Sequence, residues 1–230
     1  MRFDGPPVPA TFKERLNRFL GEVEVDGRRA LCFIPNPGRL KELLRTDAKV
    51  YLLERASEHR KTRYDLVLVD LAGTLVSVDS RAPNVVVAEA IEEQRIPEFR
   101  GLRIARREPV FEDSRLDFRL AGGSASMMLE VKSCTLVEDG TALFPDAPTD
   151  RGRRHLQSLI RALESGRAAV LFLIQRADAR AFRPNGRTDP RFEEALREAA
   201  EAGVEVYAYN SKVTLRGVSI YKRVPVKLPP

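Results

Sequence analysis

Histidine and cysteine are scarce in this 230-residue chain, and the scarcity restricts its chemistry. There are two histidines, His59 and His155, too few for a histidine-rich zinc site. The two cysteines, Cys32 and Cys134, lie far apart in strand-like segments and match no metal-ligand spacing. They read as buried free thiols of a cytoplasmic protein. Long hydrophobic runs are missing too. No apolar stretch approaches the roughly 20 residues that span a bilayer, so no membrane partner is expected. Arg2-Phe3-Asp4-Gly5-Pro6-Pro7 has none of the apolar character of a signal peptide. Internal repeats and low-complexity tracts are absent, as are helix-turn-helix and zinc-finger patterns. That argues against sequence-specific reading of the DNA major groove.

What is present is a foldable and mildly basic composition. The hydrophobic fraction is 43%, and 39 Lys+Arg against 33 Asp+Glu leave a net charge of +6. Such an excess permits a polyanionic partner, DNA or RNA, without requiring one. Arginine heavily outnumbers lysine, which suits bidentate phosphate contacts but equally fits a GC-rich genome.

Residues 1–80 read as mostly β. Alternation over 15–24 (Leu16, Phe19, Val23, then Val25), an Asp26-Gly27 turn and a return over 30–34 predict a hairpin. Pro35-Asn36-Pro37-Gly38 breaks the strand, and 39–44 has the look of a short helix. Strands follow over 50–54, 64–70 and 74–78, with an Ala72-Gly73 turn between the last two. Five short strands and one short helix suggest a small barrel of the oligonucleotide-binding (OB) kind, a pattern shared by many small β modules.

From Ser80 the rhythm becomes the alternation of an α/β layer fold. A helix is predicted over 83–94 and another over 149–165, capped by Gly166. The continuous apolar run 168–174 predicts a strand covered on both faces. Asp189-Pro190 opens a third helix that Gly203 closes, strand 204–209 follows, and 213–220 adds an edge strand. Residues 81–230 are therefore expected to form a mixed sheet flanked by helices, making the chain α+β overall.

The most informative pair of segments is Ser114-Arg115-Leu116-Asp117-Phe118-Arg119-Leu120 and Met128-Leu129-Glu130-Val131-Lys132-Ser133. Both alternate with the period of a half-buried strand. Leu116, Phe118 and Leu120 share one face of the first, and Leu129 and Val131 one face of the second. With Gly122-Gly123-Ser124-Ala125 as a four-residue loop, Asp117 lies opposite Glu130 and Lys132 one step along. Like charges directly opposite are destabilising, so the arrangement asks for a cation. Asp117 with Glu130-Val131-Lys132 fits the D…(E/D)-x-K pattern of the metal-dependent nuclease superfamily. Asp117 and Glu130 would hold Mg2+ or Mn2+, and Lys132 would orient the attacking water or neutralise transition-state charge. An E-x-K triplet alone recurs by chance; its place beside an aspartate on a neighbouring strand is what gives it weight.

A further acid from the preceding helix is expected, with Glu89 as the candidate one turn beyond Val85; Val85, Val86 and Ile91 are taken to anchor that helix. Periodicity alone hardly separates Glu89 from Glu92 and Glu93. Downstream, 144–156 runs from a loop into a helix whose N-terminus, with Arg151, Arg153 and Arg154, would make an anion site; a plain solvated basic face fits equally. His155 reads as a local hydrogen-bonding residue. Asn36 and Arg39 of the Pro35–Arg39 turn, and Arg115 of the hairpin, complete the candidate nucleic-acid contacts.

These motifs together resemble the sugar fermentation stimulation protein (SfsA) family of bacteria and archaea. The resemblance runs over essentially the whole chain: R-L-N-R-F from Arg15, P-N-P-G-R from Pro35, N-x4-E-A from Asn84, S-R-L-D-F from Ser114, E-V-K-S from Glu130 and F-P-D-A-x-T-x-R-G-x-x-H-L from Phe144. The family more often carries threonine at the position of Pro37, which stiffens that loop here. The resemblance implies an N-terminal OB-like domain, a C-terminal restriction-endonuclease-like PD-(D/E)XK domain, and DNA binding, and it favours Glu89 over its neighbours.

Two readings of function follow. One is a Mg2+-dependent nuclease that holds nucleic acid largely without sequence preference. The other is a non-catalytic DNA-binding regulator, of sugar or maltose metabolism genes, on a retained nuclease scaffold. A small-molecule phosphoesterase is a weaker third. Whether the protein works alone or as a homodimer stays open.

Overall fold

The structure, a computed structural model, describes residues 1–55, 60–112 and 114–229; His59 lies outside the described residues. The N-terminal unit contains β1 (Val8–Arg15), β2 (Leu20–Val25), β3 (Arg28–Phe33), β4 (Lys49–Glu54), β5 (Tyr64–Leu71) and β6 (Thr74–Ser77). They run in the order β3-β2-β1-β4-β5-β6, and a parallel pairing of β3 with β5 closes the first five into a barrel of OB type. Alternating residues fill it: Phe12, Val23, Cys32, Val50, Leu52 and Leu66 are all buried. The Asp26-Gly27 turn has φ of +49° and +74°, the left-handed pair a two-residue hairpin needs.

Two expectations for this unit change. The alternation over 15–24 is not one strand. β1 ends at Arg15 and β2 starts at Leu20, and Leu16 and Phe19 sit on the turn between them, 46% and 43% exposed. The real first strand, V-P-A-T-F-K-E-R, is too polar to announce itself. The helix expected over 39–44 is a run of turns. Leu40 sits at φ +49°, which no α-helix tolerates, and Leu40 and Leu43 plug the barrel end instead.

The second unit starts with α1 (Ala82–Glu92) and continues through β7 (Arg103–Arg107), β8 (Val110–Phe111), β9 (Ser114–Arg115), β10 (Phe118–Gly122), β11 (Ala125–Cys134), β12 (Val137–Glu138) and β13 (Thr141–Phe144). After α2 (Asp150–Ala162) come β14 (Arg167–Ile174), β15 (Ala181–Pro184), α3 (Pro190–Ala202), β16 (Glu205–Thr214) and β17 (Gly217–Arg223). The main sheet has the order β17-β16-β14-β11-β10-β7, parallel across β11, β14 and β16 and antiparallel at both edges. One face packs on α1 through Val86, Val87 and Ile91, the other on α2 and α3 through Leu156, Leu159, Phe192 and Leu196. β14 feeds both layers, with Leu171 and Leu173 on one side and Val170 and Phe172 on the other, which is why its sequence is apolar throughout.

The hairpin differs from the expected one in a way that matters for the site. β10 and β11 pair from Phe118↔Leu129 to Gly122↔Ala125, so the link is a two-residue turn in the expected register. The segment before it is broken, however. Leu116 joins the core beneath α2, whereas Phe118 and Leu120 join the core beneath α1. The chain bends between β9 and β10, and Asp117 sits at the bend, outside the ladder.

The two units are joined by side chains beside the site. Ser77 Oγ donates to Gln175 Oε1 at 2.8 Å, and Gln175 Nε2 donates to Ser133 Oγ at 3.0 Å. Asn36 Nδ2 donates to the Val78 carbonyl at 2.9 Å and Ser80 Oγ to the Pro35 carbonyl at 2.8 Å. The first residues also pair with the second unit, as Arg2 bridges Gly217. Among the described residues no helix is long and apolar enough to cross a membrane.

Candidate active site

A cleft of about 380 Å³ opens at the carboxyl end of β11, where parallel sheets present their ligands. Its walls come from both units: Asn36, Pro37 and Gly38 from the barrel, and Asn84, Asp117, Glu130, Lys132, Asp146 and Arg151 from the second unit. Gly38 has no room for a side chain, because a Cβ there would stand 2.7 Å from Asp146 Oδ2 and 2.9 Å from Asn36 Oδ1. The Arg39 backbone N–H donates to the same Asp146 oxygen at 2.9 Å, clamping the two walls together.

Asp117, Glu130 and Lys132 do meet here. Asp117 Oδ2 accepts the Val131 N–H at 2.7 Å and Oδ1 accepts from Asn84 Nδ2 at 2.6 Å. Burial, and then the neighbouring Glu130 charge, push the Asp117 carboxyl up to about 6. Glu130 is 3% exposed. Its Oε1 is paired with Lys132 Nζ and with His155 Nδ1. Burial alone would raise the Glu130 pKa, but Lys132 and His155 more than offset it and hold the group below its ordinary value. Arg151 Nε donates to His155 Nε2 at 3.4 Å, which fits the tautomer carrying its proton on Nδ1 toward Glu130.

Glu130 Oε2 is buried and has no hydrogen-bond partner. A buried carboxylate oxygen left open costs free energy unless something binds it, and the same cleft holds a second carboxyl, Asp117, whose ionisation Glu130 resists. The acids lining the cleft are Asp117, Glu130 and Asp146, hard oxygen donors of the kind a divalent cation takes together with water. Among the described residues no group of three or more His, Cys, Asp or Glu side chains gathers as a cage.

Glu89 is not brought to this site. Its carboxylate pairs with the Met1 ammonium, and the side chain is 42% exposed. The reason is the helix face: Val85, expected to anchor α1, is itself 43% exposed, and Glu89 lies one turn along the same face. Val86, Val87, Ala90 and Ile91 make the buried stripe. The residue α1 does contribute is Asn84, from the first turn of the same segment. His155, expected to bond locally, meets Glu130 from 25 residues along the chain; its place on the inner face of α2 at helical spacing from Leu159 is the signal that points inward.

The arginines divide. Arg151 lines the cleft, and Arg154 is exposed nearby on α2. Arg153 turns away, donating to Asp189 at 3.0 Å and pairing with Asp150; Asp189 in turn caps α3 and accepts the Thr149 N–H. It is an anchor between helices. Arg115 is exposed and pairs with Glu108 at 3.3 Å, and Arg39 lies outside the cleft lining. Asn36 lines the cleft but spends its amide on Val78 and Gly38. Both cysteines are buried free thiols.

The described "SfsA N-terminal OB domain" matches residues 14–78 and the "Sugar fermentation stimulation protein RE domain" matches residues 81–217. A sugar fermentation stimulation protein homolog of Caldanaerobacter subterraneus subsp. tengcongensis is 45% identical over 99% of this chain and 100% of its own length. The homolog of Moorella thermoacetica is 46% identical over 96% and 97%. The structure of SfsA from Pyrococcus furiosus, solved in complex with Ca2+, superposes with a TM-score of 0.91 at 33% identity, covering 99% of this chain and 98% of that one. Family matches to both units and high identity over the full length lead to one conclusion: the chain belongs to the sugar fermentation stimulation protein (SfsA) family.

Proposed function

We propose that the protein binds DNA, or RNA, largely without sequence preference and hydrolyses its phosphodiester bonds at Asp117, Glu130 and Lys132 with a divalent cation. One observation carries this reading. Glu130, in the wall of the cleft, is buried with one oxygen paired to Lys132 and His155 and the other without a hydrogen-bond partner. The Ca2+ complex of the Pyrococcus furiosus relative supports use of a hard divalent cation by this protein.

Asp117 and Glu130 would hold Mg2+ or Mn2+, which when bound supplies the Lewis acid for water activation and for phosphoryl charge. The chain's own residues do the rest. Asn84 and the Val131 N–H fix the rotamer of Asp117. His155 and Lys132 hold Glu130 ionised. Lys132, 11% exposed at its side chain, presents its ammonium to the cleft and stabilises negative charge as it builds on the phosphate. Arg151 at the start of α2 offers a fork to a flanking phosphate.

A panel of single-stranded, duplex, branched and RNA substrates with Mg2+ or Mn2+ tests this. Cleavage of at least one is expected, with Asp117→Ala abolishing it while binding is retained. Calorimetric metal titration should give a saturable site in the wild type that Glu130→Ala loses. Substrates intact with both metals would sink hydrolysis. The position of Glu89, away from the cleft and paired with the Met1 ammonium, is what favours the runner-up, a non-catalytic DNA-binding regulator.

A further inference from the structure

We propose that Arg106 and Arg119, side by side on β7 and β10, form a phosphate anchor for a nucleic-acid duplex that reaches the cleft. The anchor rests on the nucleic-acid reading of the cleft, and does not depend on hydrolysis occurring there.

Register brings the two arginines together. Phe118 and Leu120 of β10 point into the core beneath α1, so Arg119 between them points to the opposite face. Arg106 of β7 is its direct partner across the antiparallel ladder. On a regular strand Arg106 would share a face with Ile104, two residues earlier, which packs against that same core. An extra residue in β7, Ala105, shifts the register between Leu120↔Ile104 and Arg119↔Arg106. This bulge turns Arg106 to the side of Arg119. Both side chains are exposed.

Two like charges directly opposite one another destabilise a sheet. Among the described residues neither guanidinium meets a carboxylate, and Arg119 reaches Ser126 Oγ at 3.5 Å. The acids of the adjoining segments are already paired, Glu92 with Arg103, Glu108 with Arg115 and Glu112 with Arg161. A charge on an edge strand can serve simply to keep other strands from adding there. That explains Arg106 but not Arg119, because β10 is an interior strand with β7 on one side and β11 on the other. An anion shared by the two guanidiniums removes the repulsion, and their forked donors match phosphate oxygens.

Position and surroundings select the occupant. Arg119 is two residues from Asp117, about 7 Å along the strand, and two nucleotide steps of about 3.4 Å cover the same length. The end of β7 is tied to the cleft, since the Glu108 N–H donates to the Asp117 carbonyl at 2.9 Å. Segment 100–107, R-G-L-R-I-A-R-R, holds four arginines, no acid and no aromatic residue. The Phe118 ring, with the Arg107 guanidinium 5.5 Å from its centroid, is buried. A charged surface with no exposed ring holds backbone and not bases. An unpaired strand would leave its bases unmatched here, whereas a duplex keeps its own stacked inside.

Anisotropy with an end-labelled DNA duplex and with oligo-dT of equal length, in EDTA and over a range of salt, tests the anchor. Arg106→Gln and Arg119→Gln are each expected to reduce the salt slope of duplex binding by about 0.9 and to weaken it on the order of tenfold at low salt. Both should melt no lower than the wild type, since a repulsion is relieved. Arg119→Lys, which keeps the charge, should retain the slope. Arg197→Gln, on α3 and paired with Glu194 and Glu201, removes the same charge far from the ladder and should leave the slope unchanged. If both ladder variants bind the duplex within twofold of wild type, or Arg197→Gln loses as much as they do, the anchor is wrong. A wild type that binds oligo-dT but not the duplex would overturn the anchor and leave the nucleic-acid reading standing. Binding to neither probe would sink both. Slope loss at both arginines with no cleavage in Mg2+ would remove hydrolysis alone and uphold the anchor.

Discussion

Asp65 in the barrel and Glu130 in the main sheet are both almost wholly out of water, 1% and 3% exposed, and their surroundings differ. Asp65 faces Phe33 across the β3–β5 seam that closes the barrel. Its oxygens are shared among Arg55 at 3.3 Å, Arg81 at 3.4 Å and Arg60, so each has a cation. Glu130 has a lysine and a histidine crowded on one oxygen and nothing on the other. A buried acid satisfied on every side holds structure together. One satisfied on a single side leaves an acceptor open, and its neighbour Asp117 is pushed up to about 6, by its own burial first and by the Glu130 charge second.

Exchanging each acid for its amide sharpens that contrast most. Glu130→Gln is expected to cut metal-dependent cleavage at least about a hundredfold while shifting stability by less than about 1 kcal/mol, because Gln still accepts from Lys132. Asp65→Asn is expected to do the reverse, costing about 2–3 kcal/mol, because Arg60 loses its acid while Arg55 and Arg81 keep only Asp4 and Asp79. That corresponds to a melting temperature lower by about 5–10 °C, with cleavage at 25 °C unchanged. Parallel melting curves and cleavage assays decide it; a Glu130→Gln protein that unfolds as readily as Asp65→Asn would erase the distinction.

The two arginines at the start of α2 repeat the contrast on a smaller scale. Arg153→Ala should lower stability by about 1–2 kcal/mol through the loss of its charged bonds to Asp189, without altering DNA affinity. Arg151→Ala should leave melting unchanged and reduce the salt slope of DNA binding by about 1. The smallest effect is expected at Glu89, whose exposed pairing with the Met1 ammonium is worth at most about 1 kcal/mol. Glu89→Gln should cleave within twofold of wild type, and a large loss of cleavage would mean that α1 delivers an acid to the site after all.

How much of this was legible follows from what each residue's neighbours are. The register that sets Asp117 by Glu130 could be read from alternation and a glycine-rich turn, because in a hairpin partners are near in sequence. The third helical contribution could not. A mostly apolar helix such as α1 is buried over more than one face, so periodicity does not say whether Val85 or Val87 looks inward. Glu89 is preferred to Glu92 and Glu93 on that ambiguity, and the structure places it away from the cleft that Asn84 lines. The barrel strands with clean alternation were visible, whereas β1, half-polar and paired on both edges, was hidden. The helix expected over 39–44 gave way to tertiary demand, since two leucines were needed to close the barrel end.

The sequence by itself determined a small β unit followed by a helix-covered mixed sheet and the register of Asp117, Glu130 and Lys132, since hydrophobic period and local turns encode these directly; the family was carried by its motifs. Only the tertiary structure decided that Leu116 and Phe118 serve opposite cores and that Asp117 stands at the bend between them. Tertiary packing also brought His155 against Glu130, turned Arg153 away, and built one wall of the cleft from a barrel loop. Each of these depends on contacts between residues distant along the chain, and such contacts leave no period to read.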